Sequence, residues 1–200
     1  MVRHGESTAN AGGRGETPAG TRLTARGHEQ AKVAANLLAE LVPGPATKIL
    51  VSPFIRTQET AAPYAWKFDI VPEEWPIQEW IFLDPKNYVG TTQAERVPDV
   101  RAFEARRDPH YVDGAAESFA AFMYRVDLFL AGARAWGGQL VAFTHGRFIR
   151  GVLWRLQNPG ETYGWTRDHF ESFFAFSHAT EVTNCQVFEL RYENDWQLVE

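Results

Sequence analysis

The chain has a single cysteine, Cys185, so no intrachain disulfide can form and a reducing compartment is expected. It has no excess of basic charge: 20 Lys and Arg stand against 25 Asp and Glu, for a formal net charge of −5. Nucleic-acid and membrane-surface binders usually show a basic balance or a basic block, and neither is present. No apolar run is long enough to span a bilayer, and no signal-peptide pattern opens the chain. The expectation is a cytoplasmic protein with no nucleic-acid or membrane partner. There is also no Walker-type phosphate loop and no Rossmann glycine fingerprint. His28, His110, His169 and His178 lack metal-ligand spacing and read as surface or structural, so neither metal nor cofactor is expected. Attraction for an anion must come from a few focused residues.

What is present is an ordinary globular composition over 200 residues, 44% hydrophobic and 22% charged. One domain, 1–200, is expected, with a cap or insertion at about 80–113. Only Met1 and Val2 precede Arg3, which is short for a first strand and leaves room for residues upstream of this numbering. Met1–His4 reads as a strand end and Gly5–Thr21 as a loop. Thr24 reads as the N-cap of a helix over Ala25–Leu41, stopped by Pro43-Gly44-Pro45. Lys48–Ser52 is a strand, followed by a helix that opens at Pro53 and runs to about Trp66. Phe68–Val71 is a weak strand. Residues 92–107 read as helical around Pro98, and Ala115–Ala135 as a clearer helix ended by Gly137-Gly138. Gln139–Phe143 is the most apolar strand, with a helix from Arg147 to Leu156 behind it. In the tail, Glu181–Thr183 and Val187–Leu190 read as one strand, and Trp196–Val199 returns. This order predicts an α/β fold: three layers, α/β/α, with a mainly parallel central sheet and an antiparallel edge hairpin near the C-terminus.

Two apolar runs end in the same dipeptide. Val2-Arg3-His4-Gly5 opens the chain, and Leu140–Thr144 leads into His145-Gly146. In open α/β sheets ligands bind at the carboxyl ends of strands, so two imidazoles there, with Arg3 beside the first, make a site for an anionic group. Further blocks surround them: Ser7 and Asn10 in the first loop, Leu23-Thr24 with Gly27 after it, Ser52-Pro53 with Arg56 and Thr60 after the second strand, and Glu79 ending an extended piece.

Together these blocks resemble the histidine phosphatase superfamily, the group that includes cofactor-dependent phosphoglycerate mutases. The resemblance runs from Arg3 to Asn184. The second block reads His-Gly rather than His-Asp, as in the mutase-related branch. The resemblance implies a phosphoglycerate mutase-like fold and a metal-independent hydrolysis of a small phosphomonoester through a phosphohistidine on His4. It makes Arg3 and Arg56 the phosphate clamp, for which the planar guanidinium fork is suited. It makes His145 a donor to a phosphoryl oxygen and Glu79 the general acid. Asn10, Gly146 and the backbone of Gly5–Ser7 become phosphate donors. The chain departs from the family in Trp80-Ile81-Phe82-Leu83-Asp84, where the Gly-rich sequence that usually follows the acid is missing.

Two other readings share these residues. A phosphoglycerate mutase would pass the phosphoryl group to a second hydroxyl, but the first loop here, Arg14-Gly15-Glu16-Thr17-Pro18, lacks the Gly-Trp element of mutases. A silent phospho-ligand sensor would keep the pocket without turnover, and the full set of His4, Arg3, Arg56, His145 and Glu79 argues against it. Trp80, Phe82 and Tyr88 are candidates to wall a pocket over the phosphate site. Lys86, Arg96, Arg101, Arg106 and Arg107 read as a solvated helix face, with contact to a second anion as the alternative.

Overall fold

The computed structural model describes residues 1–42, 48–160 and 164–199. The expected Pro43-Gly44-Pro45 stop lies outside them. Strand β1 (Val2–Arg3) is followed by α1 (Ala25–Leu41), β2 (Lys48–Val51), α2 (Ile55–Phe68) and β3 (Glu73–Glu74). Then come α3 (Val97–Arg106), α4 (Phe119–Trp136), β4 (Leu140–Thr144), α5 (Gly146–Gln157), α6 (Arg167–Ala179), β5 (Glu189–Tyr192) and β6 (Trp196–Val199). The four strands β1-β4-β2-β3 form one sheet in that order, and every pair in it is parallel. The tail meets the free edge of β1 through an antiparallel bridge between Val2 and Val187, then turns back on itself as the antiparallel pair β5–β6.

Strand side chains alternate between faces, and the alternation divides the core. Ile49, Val51, Val141 and Phe143 pack on one face with Ala35 and Leu38 of α1 and Ala61, Tyr64 and Ala65 of α2. Leu50 and Ala142 point to the other face, against Phe119, Phe122 and Val126 of α4, Phe148 and Val152 of α5, and Phe170 and Phe173 of α6. The three layers expected from the sequence are thus present.

Several boundaries differ from the sequence reading. Phe68 ends α2 instead of opening a strand, and Asp69 caps that helix in the left-handed conformation. The edge strand lies later, at Glu73–Glu74, where it pairs with Leu50 and Val51. The helical reading of 92–107 narrows to α3, with Pro98 in its first turn, where a missing N–H costs nothing. The helix read from Ala115 begins at Phe119, because the Ser118 side chain accepts from the Ala121 N–H and caps it. Glu181–Thr183 is not strand, and the hairpin begins at Glu189. Helix α6 is an element that the sequence patterns above do not predict, although Thr166 and His169 form a capping box at its start.

Candidate active site

The register of the sheet creates the site. β1 pairs Arg3 with Thr144 of β4, so the next residues of the two strands, His4 and His145, leave the sheet side by side. Their ring centroids lie 5.1 Å apart. The His4 N–H donates to the Thr144 carbonyl at 3.0 Å, extending the strand pairing to the histidine itself. The turn after His4 passes tightly against the start of α1. A Cβ on Gly5 would come within 2.6 Å of the Gly27 carbonyl oxygen, so both glycines serve close backbone approach.

A cavity of about 820 Å³ opens over these strand ends. Arg3, His4, Asn10, Arg56, Glu79 and Gly146 all line it. His145 is fully buried beneath this surface, against the His4 ring. The structure therefore gathers all the candidate residues around one cavity. His4 Nδ1 lies 2.7 Å from the Gly5 carbonyl oxygen. A carbonyl can only accept, so Nδ1 carries the proton and Nε2 keeps its lone pair. Burial, and then the charges of Arg56 and Arg3, hold the His4 imidazole well below the ordinary histidine value. Burial, followed by Arg56 and His4, does the same to His145.

The two arginines are anchored from behind. Arg3 Nη1 donates to the Val182 carbonyl at 2.6 Å, and its buried Nε has no hydrogen-bond partner. Arg56 Nη1 donates to the Pro18 carbonyl at 2.6 Å, and its guanidinium lies over the Phe54 ring. Burial brings the Arg56 pKa down to about 10, against the pull of Glu79. It remains a cation at neutral pH. A half-buried and a buried guanidinium lining one cavity are suited to an oxyanion.

Glu79 Oε1 accepts from the Arg147 N–H at 3.0 Å and the Trp80 N–H at 3.2 Å. Oε2 has no partner among the described residues. Asn10 Oδ1 accepts from the Ser7 N–H, the Ser7 hydroxyl and Asn184 Nδ2, which leaves the Asn10 NH₂ group to face the cavity. The Gly5–Ser7 backbone, expected to donate to phosphate, is already engaged. The Gly5, Glu6 and Ser7 N–H groups go to Thr60 Oγ1, Gln30 Oε1 and Asn10 Oδ1. Buried backbone donors need partners, and these side chains supply them. Gly146 opens α5, where the first N–H groups have no intrahelical acceptor. Among the described residues, no three His, Cys, Asp or Glu side chains cluster in a way that could hold a metal ion.

Residues 1–199 match the model of the histidine phosphatase superfamily, branch 1. The chain belongs to this superfamily. Its fold is that of mycobacterial glucosyl-3-phosphoglycerate phosphatase, solved with VO3, at a TM-score of 0.73 and 22% identity over all of this chain and 95% of that one. Phosphoserine phosphatase from Entamoeba histolytica, solved with 3-phosphoglyceric acid, gives a TM-score of 0.74 and 20% identity over 100% of this chain and 93% of that one. The product of open reading frame Rv3214 from Mycobacterium tuberculosis gives a TM-score of 0.69 and 26% identity over 100% and 93%. A 77-residue stretch, 38% of this chain, is 43% identical to the PE-PGRS family protein PE_PGRS11 of Mycobacterium tuberculosis and spans 13% of that protein's length.

This superfamily member holds its site with residues the sequence reading gave no role. Ser52 Oγ sits 2.8 Å from His145 Nε2 and accepts the Phe54 N–H at 3.0 Å. A Ser52 hydroxyl that donates to Nε2 would put the His145 proton on Nδ1. That Nδ1 is buried without a partner. Arg125 of α4 grips Glu117 with two bonds of 2.7 Å and donates through Nη1 to the carbonyls of Pro76 and Gln78. Thr144 Oγ1 donates to the Ile77 carbonyl. Residues 76–78 are thus tied on both sides, and Glu79 follows from a fixed backbone. Asn184 Nδ2 bridges the His4 carbonyl and Asn10 Oδ1.

The other wall comes from the 80–113 stretch. Phe82 and Tyr88 line the cavity, whereas Trp80 is buried in the aromatic core, stacked on Phe122. The basic residues read as one solvated face divide. Lys86 pairs with Asp84, Arg107 with Glu171, and Arg106 covers the Tyr111 ring. Arg96 and Arg101 line the cavity, as does Arg147 from α5. His178, read as a surface histidine, also lines it and meets Glu104 at 3.3 Å.

Proposed function

We propose that this chain is a metal-independent phosphatase of small phosphomonoesters that works through a phosphohistidine on His4. The observation that carries the reading is the bond from His4 Nδ1 to the Gly5 carbonyl, beside two arginines, Arg3 and Arg56, lining the same cavity. It leaves a neutral, oriented Nε2 as the nucleophile. Arg3 and Arg56 hold the phosphoryl oxygens, with Asn10 and Gly146 as further donors, and His145 Nδ1–H donates to the charge that builds in the transition state.

In the first step Nε2 forms a bond to phosphorus as the bond to the leaving oxygen breaks. Glu79, protonated, gives its proton to that oxygen. In the second step the Glu79 carboxylate takes a proton from water, the water oxygen bonds to phosphorus, and the N–P bond breaks. Inorganic phosphate leaves, and His4 and Glu79 return to their starting protonation states. The 80–113 stretch serves as the cap that shapes the leaving-group end of the cavity. Family membership supports phosphoryl chemistry on a small substrate. So do structural neighbours that act on glucosyl-3-phosphoglycerate and phosphoserine. A single cysteine, the half-buried Cys185, suits work in a reducing compartment such as the cytoplasm.

The test is release of inorganic phosphate from p-nitrophenyl phosphate by the wild type and by His4→Ala. Loss of about 10³-fold or more is expected on removing the nucleophile. Equal rates would remove His4 from the chemistry.

A further inference from the structure

The cavity holds more positive charge than one phosphoryl group can use. Six guanidinium groups and two carboxylates line it, in a chain whose net charge is −5. Arg3 and Arg56 sit at the strand ends beside His4. Arg147 and Arg96 sit elsewhere: the Arg147 guanidinium lies 4.8 Å over the Phe82 ring and the Arg96 guanidinium 4.7 Å over the Tyr88 ring. Both rings belong to the 80–113 stretch. Arg96 is buried, and its Nη1 is fixed by the carbonyl and hydroxyl of Thr91 at 2.8 and 2.7 Å.

Among the described residues neither Arg147 nor Arg96 has a carboxylate partner, and the Arg147 guanidinium has no hydrogen bond. Stacking orients such a group without using its donors. The neighbouring cations Lys86 and Arg107 are paired with acids, and Arg106 lies over the Tyr111 ring away from this cavity. A cavity of about 820 Å³ also has room for a substrate well beyond its phosphoryl end.

We propose that Arg147 and Arg96, held on Phe82 and Tyr88, form a second anion subsite, and that the substrate is a phosphomonoester whose alcohol part carries a further oxyanion, a carboxylate or a second phosphate. This rests on the phosphatase reading, because it takes the strand-end site to hold the phosphoryl group that is transferred. Arg147 and Arg96 are specificity residues here, and they fork onto the non-reacting end of the substrate.

The test is calorimetric binding to full-length His4→Ala protein, which holds substrate without turnover. The ligands are 3-phosphoglycerate, fructose 1,6-bisphosphate and glycerol 3-phosphate. At least one of the doubly anionic ligands is expected to bind about tenfold or more tighter than glycerol 3-phosphate, and Arg147→Gln to shrink that preference to about twofold. Arg147→Lys, which keeps the charge and loses the fork, is expected to restore part of it. Which doubly anionic ligand wins identifies the oxyanion. Equal binding of all three overturns the subsite and leaves the phosphatase reading standing. A preference that survives both Arg147→Gln and Arg96→Gln overturns the assignment to these residues. Failure of every ligand to bind removes the phosphate site itself and this proposal with it.

Discussion

The strand-end floor of the cavity and the wall opposite are held in different ways. On the floor, backbone carbonyls and buried hydroxyls fix each group: Gly5 holds His4, Val182 holds Arg3, Pro18 holds Arg56 and Ser52 holds His145. On the wall, the Phe82 ring alone holds the Arg147 guanidinium, and the Tyr88 ring shares Arg96 with Thr91. A backbone anchor leaves little freedom, whereas a stacked guanidinium can slide and turn over its ring. On the proposed reading, the floor suits the group that every substrate shares, the phosphoryl unit. On the same reading, the wall suits the part of the substrate that distinguishes one phosphomonoester from another. Catalytic contacts need placement to fractions of an ångström, and recognition contacts tolerate more.

The largest expected effect sharpens this division at Glu79, which stands where floor and wall meet. Glu79→Gln keeps its shape and loses the proton it gives. Hydrolysis of an alkyl phosphate is expected to fall about 10³-fold and that of p-nitrophenyl phosphate about tenfold, because a good leaving group needs little protonation. Steady-state kinetics on the two substrates check this. Equal slowing would move Glu79 out of the acid role and onto the wall.

A smaller effect probes how the floor is braced. Arg125 ties Glu117 to the carbonyls of Pro76 and Gln78 just ahead of Glu79. Arg125→Met strands a half-buried carboxylate and frees those carbonyls, and is expected to cost about 2–3 kcal/mol in urea denaturation, part of the cost being screened by solvent. Turnover of the alkyl phosphate should drop in the same variant at temperatures where it stays folded. Unchanged stability would mean that residues 76–78 are fixed from the sheet side alone, through Thr144.

The smallest effect is in protonation. Burial and then Arg56 keep His4 well below the ordinary histidine value, so its imidazole is neutral at pH 7 and stays so below pH 6.5. Taking away a nearby cation raises that value, so in Arg56→Met the His4 titration should move toward higher pH, with burial still holding it low. NMR titration of the His4 ring reads this directly. An unmoved midpoint would show that Arg56 lies too far from His4 to share one phosphoryl group with it.

The same contrast explains what could be read from the sequence. Part of the floor was legible because Arg3, His4 and His145 sit where short apolar strands end, and parallel pairing puts such ends side by side. Those positions pointed to Arg3, His4 and His145, and the resemblance to the histidine phosphatase superfamily added Arg56 and Glu79. Ser52 lay within a recognised block, yet its task depends on an atom 93 residues away, and no linear spacing reveals that. Arg125 and Asn184 were missed for the same reason. The wall was read less well. Arg96 and Arg101 fall at helix-like spacing beside Arg106 and Arg107, and a sequence cannot tell which of them turns toward a cavity. Helix α6 lies just ahead of the alternating tail and carries no strand pattern of its own. Its i, i+3, i+4 aromatic pattern at Phe170, Phe173 and Phe174, behind a Thr166 cap, was the signal available.

The central claim is that the His4 ring nitrogen takes the phosphoryl group. The most direct measurement is rapid quenching of the enzyme with a ³²P-labelled phosphomonoester, followed by peptide mapping. The account predicts a label that survives base, is lost in acid and maps to the peptide holding His4, with none on His4→Ala. Turnover at full rate with no labelled protein at any quench time, or a label that persists in His4→Ala, would contradict it.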